Sequence, residues 1–504
     1  MSTLSAAGRG DVRTPANSVP RGRSVKALSA VNFFLADVRD GLGPFLGIFL
    51  IGQGWGTDTI GYVMTIGGIA GMLATTPLGA LADASKAKRF MVAFCAALVI
   101  VASLAILFIP TFPFVAASQI ATGIAGAAIG PAIAGLTLGL VGQKGLAHQL
   151  GRNEAWNHGG NVFAAAGCGF FGYEFGLTAV FILMTVMAVG SIAAVLTIKA
   201  DDIDHDAARG LNSKRGEAGK AEAEKNGAAE GDAPSSFGVL FKSGPLLILA
   251  ATLMLFHFGN GAMLPLLGQQ VAAQATSAEG AAGVAADGET APASGPASAP
   301  SGVSPAPAGS STASAPDTTI GPSTATSGRP ATSPAAQPTS LQALLADPVA
   351  YTAATVIIAQ LTMIPIALLA AGFAGRRGYF LLLVAALVAL PIRGLIAGLW
   401  PSPFALIPVQ MLDGVGAGLL GVAVPGLVAR ILKGTGHVNA GLGAVMTVQG
   451  VGASLSPALA GFIVARYGFS AAYLVLAGFA VCGLVLWLVS ASKVSKACAA
   501  HSED

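Results

Sequence analysis

Long apolar runs, separated by short polar connections, follow one another along most of the chain. Each run is close to the roughly 20 residues that a helix needs to cross a bilayer. The pattern therefore predicts an all-α polytopic membrane protein with twelve transmembrane helices. The predicted spans are 28–53, 58–82, 90–110, 113–141, 154–173, 177–198, 246–270, 349–373, 379–399, 404–431, 441–465 and 469–490.

Composition supports the same class. The chain has 504 residues, of which 54% are apolar and only 10% charged, with a mean hydropathy of +0.71. Soluble proteins carry about 25% charged residues, so a soluble globular fold is excluded, as are collagen and a disulfide scaffold. The 67 glycines and few aromatic residues favour closely packed helices over a transmembrane β-barrel.

Two stretches interrupt the apolar pattern. Residues 200–243 are charged with mixed sign, and residues 272–342 are almost entirely Ala, Ser, Thr, Pro and Gly, which cannot bury a core. We therefore expect a disordered tail (1–26), a six-helix bundle (27–199), a linker (200–243), a second bundle (244–490) with a disordered insert (272–342), and a tail (491–504). The Arg-rich start is also compatible with an organelle transit peptide.

The distribution of Lys and Arg predicts the orientation. If the N-terminus is cytoplasmic, nearly every Lys and Arg lies in a cytoplasmic segment, as the positive-inside rule requires. The exceptions are Arg329 and Arg466 outside, and Arg39 and Arg393 within spans. Both termini are then cytoplasmic, and the insert faces outward.

The second half of the chain repeats features of the first. Gln119 and Gly123 of the fourth span match Gln410 and Gly414 of the tenth. Two six-helix halves joined by a charged loop are typical of a duplicated transporter.

The repeat, together with the loop after the second predicted span, resembles the major facilitator superfamily. The loop Gly79-Ala-Leu-Ala-Asp83, followed by Lys86, Lys88 and Arg89, is similar to the family's Gly-x-x-x-Asp signature with clustered basic residues. Its counterpart at 371–377 lacks the acid. Gln119 stands where the family usually has an arginine, and the Gly-Pro signature typical of antiporters lies in the fourth span instead of the fifth.

The segments 37–45 and 151–158 resemble a bacterial subgroup of efflux-type permeases. The resemblance implies two pseudo-symmetric bundles, alternating access and a bacterial inner (cytoplasmic) membrane location. It also implies that Asp83 and its neighbours form a cytoplasmic gate. The gate candidates are Gly79, Asp83, Lys86, Lys88, Arg89 and Glu154.

Charges within spans are costly, which makes them functional candidates. Asp37 and Asp40 share a face of the first span, and two carboxylates near Arg39 can hold one proton between them. The alternative is that these residues anchor the helix end in water and headgroups. Gly41, Gly43 and Pro44 follow and can break the helix, either to line a cavity or as a packing kink.

The seventh span supplies His257 and Asn260, which pseudo-symmetry aligns with Asp37 and Asp40. A histidine titrates near physiological pH and can relay protons. The alternative is a hydrogen-bonded packing residue. The proposed proton-coupling residues are Asp37, Arg39, Asp40 and His257.

The fifth span begins with Glu154, Asn157, His158 and Asn161 on one helical stripe, which suits a polar substrate or an interfacial helix start. No further ligand at metal spacing is present, so no metal site is expected. In the second half, Arg393 and Asp413 either pair with each other or contact a substrate. The predicted cavity residues are Asn157, His158, Asn161, Asn260, Gln119, Gln360, Arg393, Gln410, Asp413 and Gln449.

We expect a secondary transporter, not an enzyme, that exports a small organic molecule by proton antiport. It should act as a monomer in the lipid bilayer, with protons and substrate as partners and no cofactor or nucleic acid. Uptake of an organic anion, supported by Arg393, is the alternative, and a non-transporting membrane receptor is a further one. The absence of a phosphate-binding loop gives no support to an ATP-driven pump.

Overall fold

The computed structural model describes residues 22–38, 42–205, 208, 240–288, 341–433 and 438–498. These residues form helices and their connections, and no strand occurs among them. The helices are α1 (Gly22–Val38), α2 (Phe45–Gly52), α3 (Thr57–Ala84), α4 (Lys88–Phe108), α5 (Phe112–Phe175), α6 (Leu177–Thr197), α7 (Gly244–Asn260), α8 (Met263–Gly288), α9 (Leu341–Ala346), α10 (Pro348–Arg377), α11 (Phe380–Leu399), α12 (Leu406–Ile431), α13 (Val438–Val489) and α14 (Ala491–Cys498).

Nine stretches of the described helices are long and apolar enough to cross a membrane. The twelve predicted crossings stay a prediction, because helices and crossings do not correspond one to one. The helices α5 and α13 each contain two arms that meet at Gly142 and Gly468, whose φ angles of 65° and 81° only glycine adopts readily. Each of these helices therefore covers two predicted spans.

The first predicted span, 28–53, is not one continuous helix. The helix α1 ends at Val38, and Leu42–Pro44 form a turn before α2 begins at Phe45. Gly43 has a φ of +48°, and Pro44 lacks the backbone donor that would continue a helix. The break occurs next to the glycines and proline at which the sequence indicated one. Gly41 lies outside the described residues.

The predicted disordered insert, 272–342, is shorter at both ends in the structure. The helix α8 continues to Gly288, because its alanine-rich sequence favours helix, and α9 begins at Leu341. Asp347 then starts α10, since its Oδ1 accepts from the backbone N–H groups of Val349 (3.0 Å) and Ala350 (2.7 Å). Residues 289–340 lie outside the described part of the chain.

Each half of the chain has its own hydrophobic core. One core is built mainly from residues between Leu28 and Ile203, and the other from residues between Leu240 and Cys498. Ala272, Val349 and Ala353 of the second half pack into the first core. The two halves are therefore joined where α8 and α10 meet α2 and α5.

Glycines allow the halves to approach closely at the helix ends far from the basic loops. A Cβ at Gly61 of α3 would overlap the Pro457 carbonyl oxygen of α13, and a Cβ at Gly461 would overlap the Thr57 carbonyl oxygen. The Thr57 hydroxyl also donates to the Gly461 carbonyl oxygen (3.4 Å). We call this contact the α3–α13 interface.

The other close approaches between the halves lie at these same helix ends. Gly169 and Gly172 of α5 face Ala353 and Val349 of α10, and Gly47 of α2 faces the Gln269 side chain. The halves are thus packed together at the helix ends far from the basic loops.

We predict that Gly461→Leu destabilises this packed arrangement. The added side chain must displace the α3 backbone, and overpacking of this kind costs about 1–3 kcal/mol. Gly478→Leu is the matched control, because it lies in the second arm of the same helix with nothing within 4 Å of its Cβ position. Thermal unfolding of the purified protein should show a lower Tm for Gly461→Leu only. Equal melting temperatures for the two variants would contradict the interface.

Candidate functional site

A cavity of about 300 Å³ lies within the C-terminal half, bounded by α7, α11, α12 and the first arm of α13. We call it the C-terminal cavity. Sequence positions far apart in the chain meet on its wall, because four helices each contribute one or two polar residues to it. The predicted residues that line it are His257, Asn260, Arg393, Asp413 and Gln449.

Arg393 is the charged centre of this cavity. Its side chain is only 1% exposed, and Nη1 donates to Asp413 Oδ1 at 2.7 Å and also to Asn260 Oδ1. The ion pair offsets the cost of placing a guanidinium away from water. The Nε and Nη2 atoms are buried and have no hydrogen-bond partner. The guanidinium therefore keeps one edge with two donors unused.

His257 lies on the same wall, one turn before Asn260. Its Nδ1 is 2.9 Å from the Leu253 carbonyl oxygen, which can only accept, so Nδ1 is the donor. In the neutral ring this leaves the lone pair on Nε2. His257 can therefore take up a proton in a cavity that also contains an arginine and an aspartate.

A second cavity, of about 530 Å³, lies between the two halves. It is bounded by α3, the first arm of α5 and the first arm of α13, and we call it the interhalf cavity. Gln119 and Thr122 line it, and the Thr122 hydroxyl is buried without a partner. Met446 lines both this cavity and the C-terminal cavity, which are therefore neighbours.

A third cavity, of about 180 Å³, lies within the N-terminal half between α1 and the two arms of α5. Asn32, Asn153, Glu154 and Asn157 line it. Under the internal repeat these helices correspond to α7, α12 and α13, so this cavity is the counterpart of the C-terminal cavity.

The polar stripe predicted on the fifth span does not face one cavity. Glu154 and Asn157 line the third cavity, whereas His158 Nδ1 bonds to Gln360 Oε1 of α10 at 2.7 Å. This hydrogen bond joins the two halves. Asn161 is half-buried and lines none of the three cavities. The stripe divides because α5 packs against α1 on one side and α10 on the other.

Gln410 also differs from its prediction as a cavity residue. It is fully buried, with both amide atoms unpartnered, and lines none of the three cavities. It lies one turn before Gly414, which faces the Ala359 carbonyl oxygen, so this side of α12 packs against α10.

Three of the predicted gate residues, Lys88, Arg89 and Gly79, contact other parts of the N-terminal half. Lys88 is 1% exposed, donates to the Ser85 carbonyl oxygen at 2.7 Å and lies against Gly135 of α5. Arg89 donates to the Ile198 carbonyl oxygen at the end of α6. Lys86 is exposed, and Gly79 lies near Pro131. A role in opening and closing the cytoplasmic side stays a prediction.

Several predicted residues cannot be placed as side chains. Arg39 and Asp40 lie outside the described residues, and the side chains of Asp37 and Asp83 are also outside the described part, although both lie in helices. Elsewhere in that part, no group of three or more His, Cys, Asp or Glu residues comes together as metal ligands would.

Sequence reasoning missed a buried polar chain next to the third cavity. Gln149 Nε2 donates to Asn153 Oδ1 (2.9 Å), and Asn153 Nδ2 donates to Thr137 Oγ1 (2.9 Å). The chain ties the two arms of α5 together across the bend at Gly142. A glutamine and an asparagine four residues apart, just before the predicted span 154–173, were the available signal.

Comparison with known proteins identifies the family. The model of the Major Facilitator Superfamily matches residues 28–287 and 324–503. Two uncharacterized MFS-type transporters of Mycobacterium tuberculosis, from strains H37Rv and CDC 1551 / Oshkosh, are each 35% identical over 472 residues, covering 93% of this chain and 93% of theirs.

Solved structures share the fold. The nucleoside transporter NupG has a TM-score of 0.61 at 15% identity, covering 92% of this chain and 98% of that one. A bacterial homolog of the human lysosomal transporter Spinster, in an inward-facing and unoccupied conformation, has a TM-score of 0.61 at 12% identity, covering 97% and 100%. At these identities the likeness shows the fold alone.

We predict that Asp413→Asn destabilises the protein strongly. The change leaves the buried Arg393 charge without its anionic partner, which typically costs about 3–5 kcal/mol. The double variant Arg393→Met/Asp413→Leu should recover most of the loss, because it removes both charges. Thermal unfolding measures the effect, with Asp347→Asn as the control, since Asn caps a helix as well as Asp. Similar decreases in Tm for Asp413→Asn and Asp347→Asn would refute a stabilising role of the ion pair.

Proposed function

The chain belongs to the major facilitator superfamily of transporters, and we propose that it exports a small organic molecule by proton-coupled alternating access. The observation that supports this most is the C-terminal cavity, where His257, Asn260, Arg393 and Asp413 meet around a space large enough for a small ligand. Charges kept inside a membrane protein usually mark a substrate or proton path.

The arrangement of the halves supports alternating access. The halves pack closely at one end, through the α3–α13 interface and its counterparts, while the interhalf cavity takes its walls from both halves. A rotation that separates the packed ends would therefore change the shape of this cavity. The basic residues Lys86, Arg89, Arg376 and Arg377 favour a cytoplasmic position for the opposite ends and for both termini.

Proton coupling is proposed through His257 together with the Asp37 and Asp40 pair. The Arg393–Asp413 pair is neutral overall, so a proton on His257 Nε2 gives the C-terminal cavity a net positive charge. Loss of that proton restores neutrality. Substrate and proton can thus influence each other's binding because they occupy the same small cavity.

Export rests on the resemblance to efflux-type permeases. Uptake of an organic anion is the second candidate, favoured by one specific observation. Arg393 lines a ligand-sized cavity and its buried Nε and Nη2 donors have no partner, and an edge of two such donors suits a carboxylate. We also propose that the protein acts as a monomer in a bacterial cytoplasmic membrane.

The test uses inside-out vesicles with an imposed proton gradient and a pH-sensitive dye. A panel of drugs, siderophores, sugars and organic acids is added to vesicles with the protein and to vesicles without it. We predict that at least one compound dissipates the gradient only with the protein, and that His257→Gln and Asp37→Asn reduce this flux about tenfold or more. His148→Gln is the matched control, because His148 is exposed and lines none of the described cavities.

Two outcomes would count against the proposal. Flux that survives both His257→Gln and Asp37→Asn would refute proton coupling through these residues. Uptake of an organic acid into right-side-out vesicles together with protons, with no export of any compound, would replace the export mechanism with the second candidate.

A further inference from the structure

We propose that the transported molecule is a hydroxylated monocarboxylic acid that occupies two adjoining subsites. Its carboxylate binds the free edge of Arg393, and its uncharged hydroxylated part lies in the interhalf cavity beside Thr122 and Gln119. Met446 forms the wall between the two subsites. This inference rests on the proposed transport function, but it concerns the substrate class and not the direction of transport.

The carboxylate subsite follows from the geometry of Arg393. A guanidinium presents two edges that can each form a pair of parallel hydrogen bonds. Nη1 is already used by Asp413 and Asn260, whereas Nε and Nη2, which together form one edge, are buried and unpartnered. Buried donors without acceptors are costly, so a ligand that satisfies both gains affinity. A carboxylate matches the spacing of the two donors.

Charge balance favours a monoanion. The Arg393–Asp413 pair carries no net charge, and His257 is the further titratable residue on the wall of this cavity. A proton on His257 can balance one negative charge. A dianion such as a phosphate monoester would leave an uncompensated charge in a site of low dielectric constant, which is expensive.

The second subsite follows from the walls of the interhalf cavity. Of the described residues that line it, none is charged or aromatic. Its polar groups are neutral: the Gln119 amide and the hydroxyls of Thr75, Thr122, Thr447 and Ser454. Thr122 is only 6% exposed, and its hydroxyl has no partner. Such a wall suits hydroxyl groups, which both donate and accept, and offers no stacking surface for an aromatic ring.

Met446 connects the two subsites. It lines both cavities and the residue is 54% exposed, so its side chain has room to move aside and let one ligand reach both cavities. Methionine is flexible and adapts to the shape of a ligand. A rigid indole ring at position 446 would block the passage between the two cavities. The contacts of Arg393 and Thr122 would stay unchanged.

The test measures binding to the purified, reconstituted full-length protein with three probes of similar length. Gluconate has a carboxylate and hydroxyls, gluconamide has hydroxyls without the charge, and hexanoate has the charge without hydroxyls. We expect gluconate to bind at least tenfold more tightly than either of the others. Thr122→Val should weaken gluconate about fivefold and leave hexanoate unchanged, whereas Thr185→Val, whose hydroxyl bonds its own helix at Phe181, should change neither.

Two further variants separate the subsites. Arg393→Lys keeps the charge but removes the two-donor edge, and should lower the affinity for gluconate about tenfold or more. Met446→Trp should abolish the advantage of gluconate over hexanoate, because it blocks the connection. If Arg393→Lys fails to fold, Thr122→Val and Met446→Trp still decide the inference.

The outcomes distinguish the substrate class from the transport function. Equal binding of gluconamide and gluconate, or no binding of any probe, would overturn the proposed class even if another compound shows proton-linked flux. Binding of gluconate with the predicted response to Thr122→Val, but without flux in vesicles, would support the subsites and count against transport.

Discussion

A helix in a bilayer must satisfy its own backbone hydrogen bonds, because the lipid offers none. This constraint decides where the chain can bend. Pro457 lies within α13 and has no N–H to donate to a carbonyl of the preceding turn, and the N–H of the next residue, Ala458, donates to the Thr65 hydroxyl oxygen of the other half at 3.0 Å. Ser456 accepts from the Ala262 N–H at 3.0 Å, between α7 and α8. Side chains from neighbouring helices therefore accept backbone hydrogen bonds beside the proline of α13 and at the break between α7 and α8.

The same constraint explains why Arg393 and Asp413 lie together in one cavity. An isolated guanidinium among lipid chains would be very unfavourable, so Arg393 lies where Asp413 and Asn260 can neutralise and hold it. That arrangement uses one guanidinium nitrogen, and the buried Nε and Nη2 atoms have no hydrogen-bond partner in the structure. Charge pairing and the proposed binding of an anion thus involve the same residue.

Much of the fold could be predicted from the sequence, because apolar runs of bilayer length are a strong signal. The direction in which each side chain points from its helix was harder to predict. His257, Asn260, Arg393, Asp413 and Gln449 were predicted from residue type and do meet in one cavity. Their helices are distant in sequence, and of these contacts the sequence indicated only the pairing of Arg393 with Asp413, as one of two alternatives.

The residues that sequence reasoning missed or misplaced are mostly neutral. Thr122 and Met446 look like any residue of an apolar span, and their roles appear only when α3, α5 and α13 are brought together. Gln410 was predicted to line the cavity but lies on the face of α12 that packs against α10. Adjacent positions of a helix point in different directions, and residue type alone does not tell which of them face the cavity. The extra length of α8 was missed because its composition is compatible with both helix and disorder.

We propose that the C-terminal cavity opens alternately to the two sides of the membrane. To test this, the variant Gln449→Cys is made in a Cys482→Ser background and treated with a membrane-impermeant maleimide. The label is applied to inside-out and to right-side-out vesicles. We predict labelling from both sides, at rates that shift in opposite directions when the proton gradient is reversed. Labelling from one side only, whatever the gradient, would contradict it.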